Sequence, residues 1–209
     1  MIRFKDRSDA GEQLAHRLLE YANNPQVCVL GLARGGMVTA HAIAKILHVP
    51  CDVIVVRKIG SPYNPEMALG ALSEDGSVIL DAHFMRLMGE TTASLQPILE
   101  KEKHELERRK NLYRDGRPLP DVRHKIVILA DDGVATGATM KAALKTVRAQ
   151  EPQKIIIAVP VASSEFLNDM RHEGIHVVCI TLLDPMGAIS PFYERFPQVT
   201  DNQVVQLLQ

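Results

Sequence analysis

Cysteine is scarce in this chain of 209 residues: Cys28, Cys51 and Cys179 are the whole complement. Odd in number, set in apolar strand-like runs and without metal-ligand spacing, they argue against a disulfide framework and a thiolate metal site; buried free thiols in a reducing cytoplasm are expected. Charge of one sign is lacking too. Lys and Arg number 24 against 25 Asp and Glu, and the pI is near 6.7, so there is no electrostatic case for general nucleic-acid or membrane affinity. No segment approaches the roughly 18 apolar residues of a membrane span, and the opening Met-Ile-Arg-Phe-Lys-Asp-Arg has no apolar core behind it, so a soluble, unprocessed protein is expected. Both G-x-x-x-x-G-K-[ST] and G-x-G-x-x-G are missing, which sets aside nucleotide hydrolases and dinucleotide-binding enzymes. Repeats and low-complexity tracts are also missing, and His172 and His176 straddle Gly174, so they are not a metal pair.

What is present is a globular composition, 46% hydrophobic and 23% charged, able to bury a good core as one domain or one domain with a flap. The most informative stretch runs from Ile126 to Met140. Ile126 to Ala130 is too short for a helix and rich in β-branched residues, as a strand buried on both faces of a parallel sheet would be. Asp131 and Asp132 follow at the strand's carboxyl end, where ligands bind in open α/β sheets. Gly133 and Gly137 allow tight turns, and Thr136 and Thr139 bring hydroxyls to a helix start near Gly137, whose free N–H groups suit a phosphate. Carboxylates for a vicinal diol beside helix-start amides for a phosphate fit a ribose 5-phosphate.

This stretch closely resembles the phosphoribosyl pyrophosphate (PRPP) signature of type I phosphoribosyltransferases: a hydrophobic strand, an acidic pair and a Thr-Gly-x-Thr turn. The resemblance spans most of residues 1 to 209. It implies transfer of a 5-phosphoribosyl group from PRPP to a nitrogen acceptor, taken as a nucleobase, with release of pyrophosphate and with Mg2+ as cofactor. Asp131 and Asp132 would hold the ribose, directly or through the metal. Val134, Ala135, Thr136, Gly137, Ala138 and Thr139 would hold the 5-phosphate. Where the family carries an acid before the Thr-Gly in hypoxanthine-guanine enzymes, this chain has Ala135, a pattern closer to adenine and orotate transferases.

A second strand, Val27 to Leu32, runs into Ala33-Arg34-Gly35-Gly36 and a helix over Met37 to Leu47. Alone, this turn is equally compatible with a solvated arginine. In the resembled family the loop here binds pyrophosphate, which assigns Arg34, Gly35 and Gly36 to that group and implies a cis peptide before Arg34. Cys51 to Val56 reads as a strand ending in Arg57 and Lys58; alternation sends one of them to solvent, and Lys58 is the choice for the site, as a catalytic cation facing the pyrophosphate. Residues 59–80, rich in Gly and Pro, read as a lid or hairpin, the mobile hood of the family. Residues 81–115 form a helical insertion in which Thr91 to Arg114 interleaves both charge signs, as a solvated helix face does. A strand over Ile175 to Leu183 ends at Asp184, which with Phe192 and Tyr193 is a candidate for the acceptor site.

The expected architecture is thus α/β, an open, mostly parallel sheet flanked by helices, with a small flap and a helical insertion. The expected partners are PRPP and a small-molecule acceptor, and a homodimer is compatible with the pattern. A regulator that keeps the PRPP site as a sensor is the alternative, favoured by a continuous basic stripe that the mixed helix does not provide. A phosphoryl-aspartate or receiver-type site would leave Thr-Gly-Ala-Thr without a task.

Overall fold

The computed structural model describes residues 3–63, 68–183 and 187–209. The chain opens with α1 (Arg7–His16), capped by Asp6, whose carboxylate accepts from the N–H groups of Ser8 and Asp9. A short carboxylate at this position satisfies amides that the first turn leaves without partners. There follow β1 (Val27–Leu32), α2 (Gly35–Leu47) and β2 (Cys51–Ile54), then β3 (Arg57–Gly60), β4 (Ala68–Leu72) and β5 (Val78–Leu80). Next come α3 (Ala82–Leu87), α4 (Gln96–Arg114), β6 (Ile126–Ala130), α5 (Ala138–Arg148), β7 (Lys154–Ser163), α6 (Ser164–His172), β8 (His176–Leu183) and α7 (Asp201–Leu207).

Five strands form one parallel sheet in the order β2-β1-β6-β7-β8. Its two faces follow from alternation along each strand. Val27 and Val29 of β1 and Ile128 and Ala130 of β6 meet Leu14 of α1, Leu18 just beyond it, and Ala40 and Ile43 of α2; Leu30, Leu32, Val127 and Leu129 meet Met140, Leu144 and Val147 of α5 and Phe166 of α6. Burial on both faces is why these strands read as continuous apolar runs. From β1 the chain moves to one side, to β2, and later returns to the other side, to β6. This is the switch point where doubly wound sheets open a crevice. The register Gly31↔Ala130 sets the loop before α2 beside the loop before α5.

The region expected as a lid or hairpin belongs to a second sheet, antiparallel, in the order β3-β4-β5, with an irregularity between Ile59 and Gly60. One boundary differs from expectation: β2 stops at Ile54, and Arg57 and Lys58 begin β3 instead of ending the parallel strand. Val55, whose N–H donates to Glu74 Oε2 at 2.9 Å, carries the chain across. The insertion helix α4 is more deeply engaged than a solvated face. Leu99, Leu106 and Tyr113 pack with Val53, Val55, Ile59 and Leu69, and Arg109 and Arg114 are buried with them. Arg114, 1% exposed, ion-pairs with Glu74 at the β4–β5 turn, while Arg109 Nε donates to Glu105 at 2.7 Å. Those two arginines depart from the expected pattern because α4 is clamped between the second sheet and α7.

Candidate active site

β6 delivers Asp131 and Asp132 to the switch point, both half-buried. Asp131 Oδ1 accepts from the N–H of Asp132 at 2.8 Å. Burial, reinforced by the neighbouring Asp132 charge, pushes the Asp131 carboxyl well above the usual carboxylate range. Asp132 has a partner that nothing in its local sequence announces: Arg7 of α1, whose Nε donates to Asp132 Oδ2 at 2.6 Å. The acid pair also meets the loop before α2. A Cβ added at Gly35 would collide with Asp132 Oδ2, and one at Gly36 would sit 2.7 Å from Asp131 Oδ1. Glycine at both positions is what lets that loop lie against the acids. The Ala33–Arg34 peptide bond is cis, as the resemblance implies.

Gly133 and Gly137 adopt φ of 157° and 78°, and α5 begins with Gly137 as its N-cap and no side chain closing it. α2 and α4 likewise start without a side-chain cap, whereas α1, α3, α6 and α7 are capped by Asp6, Asp81, Ser163 and Thr200. The first amides of α5 are thus not taken by a cap, and Thr136 is exposed beside them. A cavity of about 460 Å³ opens on this turn. Gly133 to Thr139 form one wall; Lys58 of β3, Ala68 of β4 and Phe84 of α3 form another, and Gly187 to Ile189 close the side. A smaller hollow of about 250 Å³ continues from it past Thr136 and Ala138 to Lys141 and Glu165.

The structure therefore gathers Lys58 and Val134 to Thr139 on one cavity, and the acid pair on the Gly35–Gly36 loop beside it. Lys58 lines the cavity, but Arg57 is not sent to solvent as alternation suggested: it is half-buried and bound to Glu102 of α4 at 2.6 Å, because α4 packs beside β3. Arg34 is placed differently from the expectation. Its guanidinium lies 3.7 Å from Asp201 at the start of α7, where Tyr113 and Arg108 also donate to that carboxylate at 2.5 and 2.6 Å. Phe192 and Tyr193 do not line the cavity either. They are 6% and 2% exposed and pack with Phe4, Val161 and Leu183, because the chain's two ends cross there. Asp184 lies outside the described residues. Arg7, Phe84 and Ile189 were missed by sequence reasoning; none carries a local signal, since each reaches the site from a distant element.

An open parallel sheet with its anion turn and acid pair at the switch point defines a type I phosphoribosyltransferase-like fold. Comparison with known proteins agrees. A phosphoribosyl transferase domain model matches residues 4–184, so the chain belongs to the phosphoribosyl transferase family. Proteins of Mycobacterium tuberculosis strains CDC 1551 and H37Rv, provisionally named as phosphoribosyl transferases, are 39% identical over 205 residues. The match takes in 98% of this chain and 46% of theirs, so the chain spans about half the length of these curated relatives. The crystal structure of TT1426 from Thermus thermophilus is similar over 99% of this chain and 98% of its own, with 38% identity and a TM-score of 0.78. A hypoxanthine phosphoribosyltransferase from Staphylococcus aureus shares the fold at a TM-score of 0.51 and 13% identity, over 88% of this chain and 77% of its own.

Proposed function

We propose that the chain transfers the 5-phosphoribosyl group of PRPP to a nitrogen nucleophile, a nucleobase by preference, with release of pyrophosphate. One observation carries the reading: a cationic side chain from the second sheet, Lys58, shares a cavity with the glycine-rich, uncapped start of α5, and the acid pair lies next in sequence. In this reading the amides and hydroxyls of Val134 to Thr139 receive the 5-phosphate, and Asp131 and Asp132 accept from the ribose hydroxyls. Lys58 and the backbone of Arg34 to Gly36 hold the pyrophosphate. As the bond to C1 breaks, the sugar gains cationic character and the leaving oxygens gain negative charge, so fixed cations and aligned amides favour the transition state over the ground state. A second sheet that folds over the cavity would also exclude water from the cationic sugar.

Mg2+ fits this donor set only with help from the substrate. Among the described residues no cluster of three or more His, Cys, Asp or Glu gathers, and Asp132 is already bound by Arg7. A cation carried on the pyrophosphate, with Asp131 and Asp132 reaching it through water or sugar hydroxyls, suits such a sparse site and would neutralise the leaving group.

The test is pyrophosphate release from PRPP and Mg2+ against a panel of purines, pyrimidines and other amines. Release with at least one acceptor supports the transferase. Binding of PRPP without release for any acceptor replaces it with the sensor, and no binding at all removes both.

A further inference from the structure

Arg7 and Asp132 are 125 positions apart, yet the arginine is built around the acid. Besides the bond from Nε to Asp132 Oδ2, Nη1 donates to the Pro197 carbonyl at 2.7 Å, and the guanidinium carbon lies 3.6 Å from the centre of the Phe196 ring. Phe196 stacks on Tyr193 with centroids 4.7 Å apart, and the Tyr193 hydroxyl donates to the backbone carbonyl of Asp132 at 2.6 Å. Asp132 is thus held twice, by side chain and by backbone, from the two ends of the chain. Those ends are themselves joined: the Phe4 N–H donates to the Phe192 carbonyl and the Glu194 N–H to the Phe4 carbonyl, both at 2.8 Å. The guanidinium is suited to this position because its planar fork donates in fixed, divergent directions while its face lies on a ring. A lysine ammonium offers the charge without that fork.

Arg7 takes Oδ2 of the Asp132 carboxylate, and Tyr193 takes its backbone carbonyl. We infer that Arg7 is a positioning residue of the sugar site: it fixes the Asp132 carboxylate through Oδ2 and leaves Oδ1 to accept a ribose hydroxyl of PRPP. The inference rests on the PRPP reading above and adds to it a residue outside every motif of the sequence. Arg7 does not touch the ligand. Its effect is that the acceptor geometry exists before the sugar arrives, so that binding does not have to order the carboxylate. A merely structural tie between the chain ends would act differently, weakening the fold and every ligand alike.

The experiment compares the parent protein with Arg7→Lys and Arg7→Ala, measuring calorimetric Kd for PRPP with Mg2+, Kd for metal-free pyrophosphate, and Tm. Arg7→Ala is expected to weaken PRPP about tenfold or more, the value of a lost charge-assisted hydrogen bond, while pyrophosphate affinity stays within about twofold. Arg7→Lys falls between, and millimolar guanidinium, far below denaturing levels, restores part of the PRPP affinity of Arg7→Ala. Equal loss for PRPP and pyrophosphate, or PRPP affinity unchanged in both variants, overturns the inference while leaving the PRPP reading in place. Should Arg7→Ala not fold, the PRPP-to-pyrophosphate ratio of Arg7→Lys decides by the same criterion. A parent protein that binds no PRPP overturns the reading itself, a separate result.

Discussion

Replacing Gly35 by alanine tests the site geometry through a change that the helix alone would welcome. Gly35 is the first residue of α2 and has no positive φ, so alanine gains helix propensity there, at most about 1 kcal/mol and less in a first turn. The new methyl, however, would collide with Asp132 Oδ2 and sit 2.8 Å from Asp132 Cγ and 3.1 Å from Arg7 Nε. The carboxylate has to retreat, and its 2.6 Å bond to Arg7 is lost. Removing one partner of a buried ion pair costs about 3–5 kcal/mol. Here the side chains retain 10% and 15% exposure, so the lower end, about 3 kcal/mol, applies. Net of the propensity gain, about 2 kcal/mol of destabilisation remains. For a chain of this size that is a Tm lower by about 4–8 °C, read by thermal unfolding. PRPP affinity should fall with it, because the displaced carboxylate is the proposed sugar acceptor. A Gly35→Ala protein with Tm at or above the parent and unchanged PRPP affinity would refute the placement of Asp132 between this loop and Arg7.

Asp132→Asn keeps the shape but leaves Arg7 without a counter-ion; weaker PRPP binding and a loss of about 1–3 kcal/mol in denaturant titration are expected together, and parent values in both would contradict the assignment. Arg114→Met strands Glu74 in the interface between α4 and the second sheet and should cost about 3–5 kcal/mol, partly recovered by adding Glu74→Gln; a cost below about 1 kcal/mol would show that the pair is not buried in solution. Hydrogen bonding from Arg108 holds Glu105 down at about 2, from an ordinary value of 4.5. A depressed acid stabilises the fold fully above its unfolded pKa and loses that contribution as pH falls, so Glu105→Gln should flatten the acid limb between about pH 4.5 and pH 2. Because the pair is largely exposed, the difference should stay under about 1 kcal/mol, and superimposable acid limbs would dismiss it.

Some of this protein is determined locally, and those parts could be read before any coordinates. Strands buried on both faces must be apolar along their whole length, which is why Val27–Leu32 and Ile126–Ala130 are visible as runs. A loop that lies close against other groups, or takes positive φ, needs glycine, so Gly35, Gly36, Gly133 and Gly137 mark the two turns at the switch point. Charge and aromatic placement, by contrast, depend on which elements cross. Arg114 reads as one more cation on a mixed helix until α4 is seen pressed on the second sheet, and Phe192 and Tyr193 read as ring-bearing ligand contacts until the chain ends are seen meeting over Phe4. Arg34 turns to Asp201, and Asp132 is held by Arg7, because α1, α2 and α7 converge beside the carboxyl ends of β1 and β6. Hydrophobic period and turn chemistry act over a few residues and are written in order along the chain. An ion pair between residues 125 positions apart exists only once the sheet has set its strand order, so tertiary structure alone decides it.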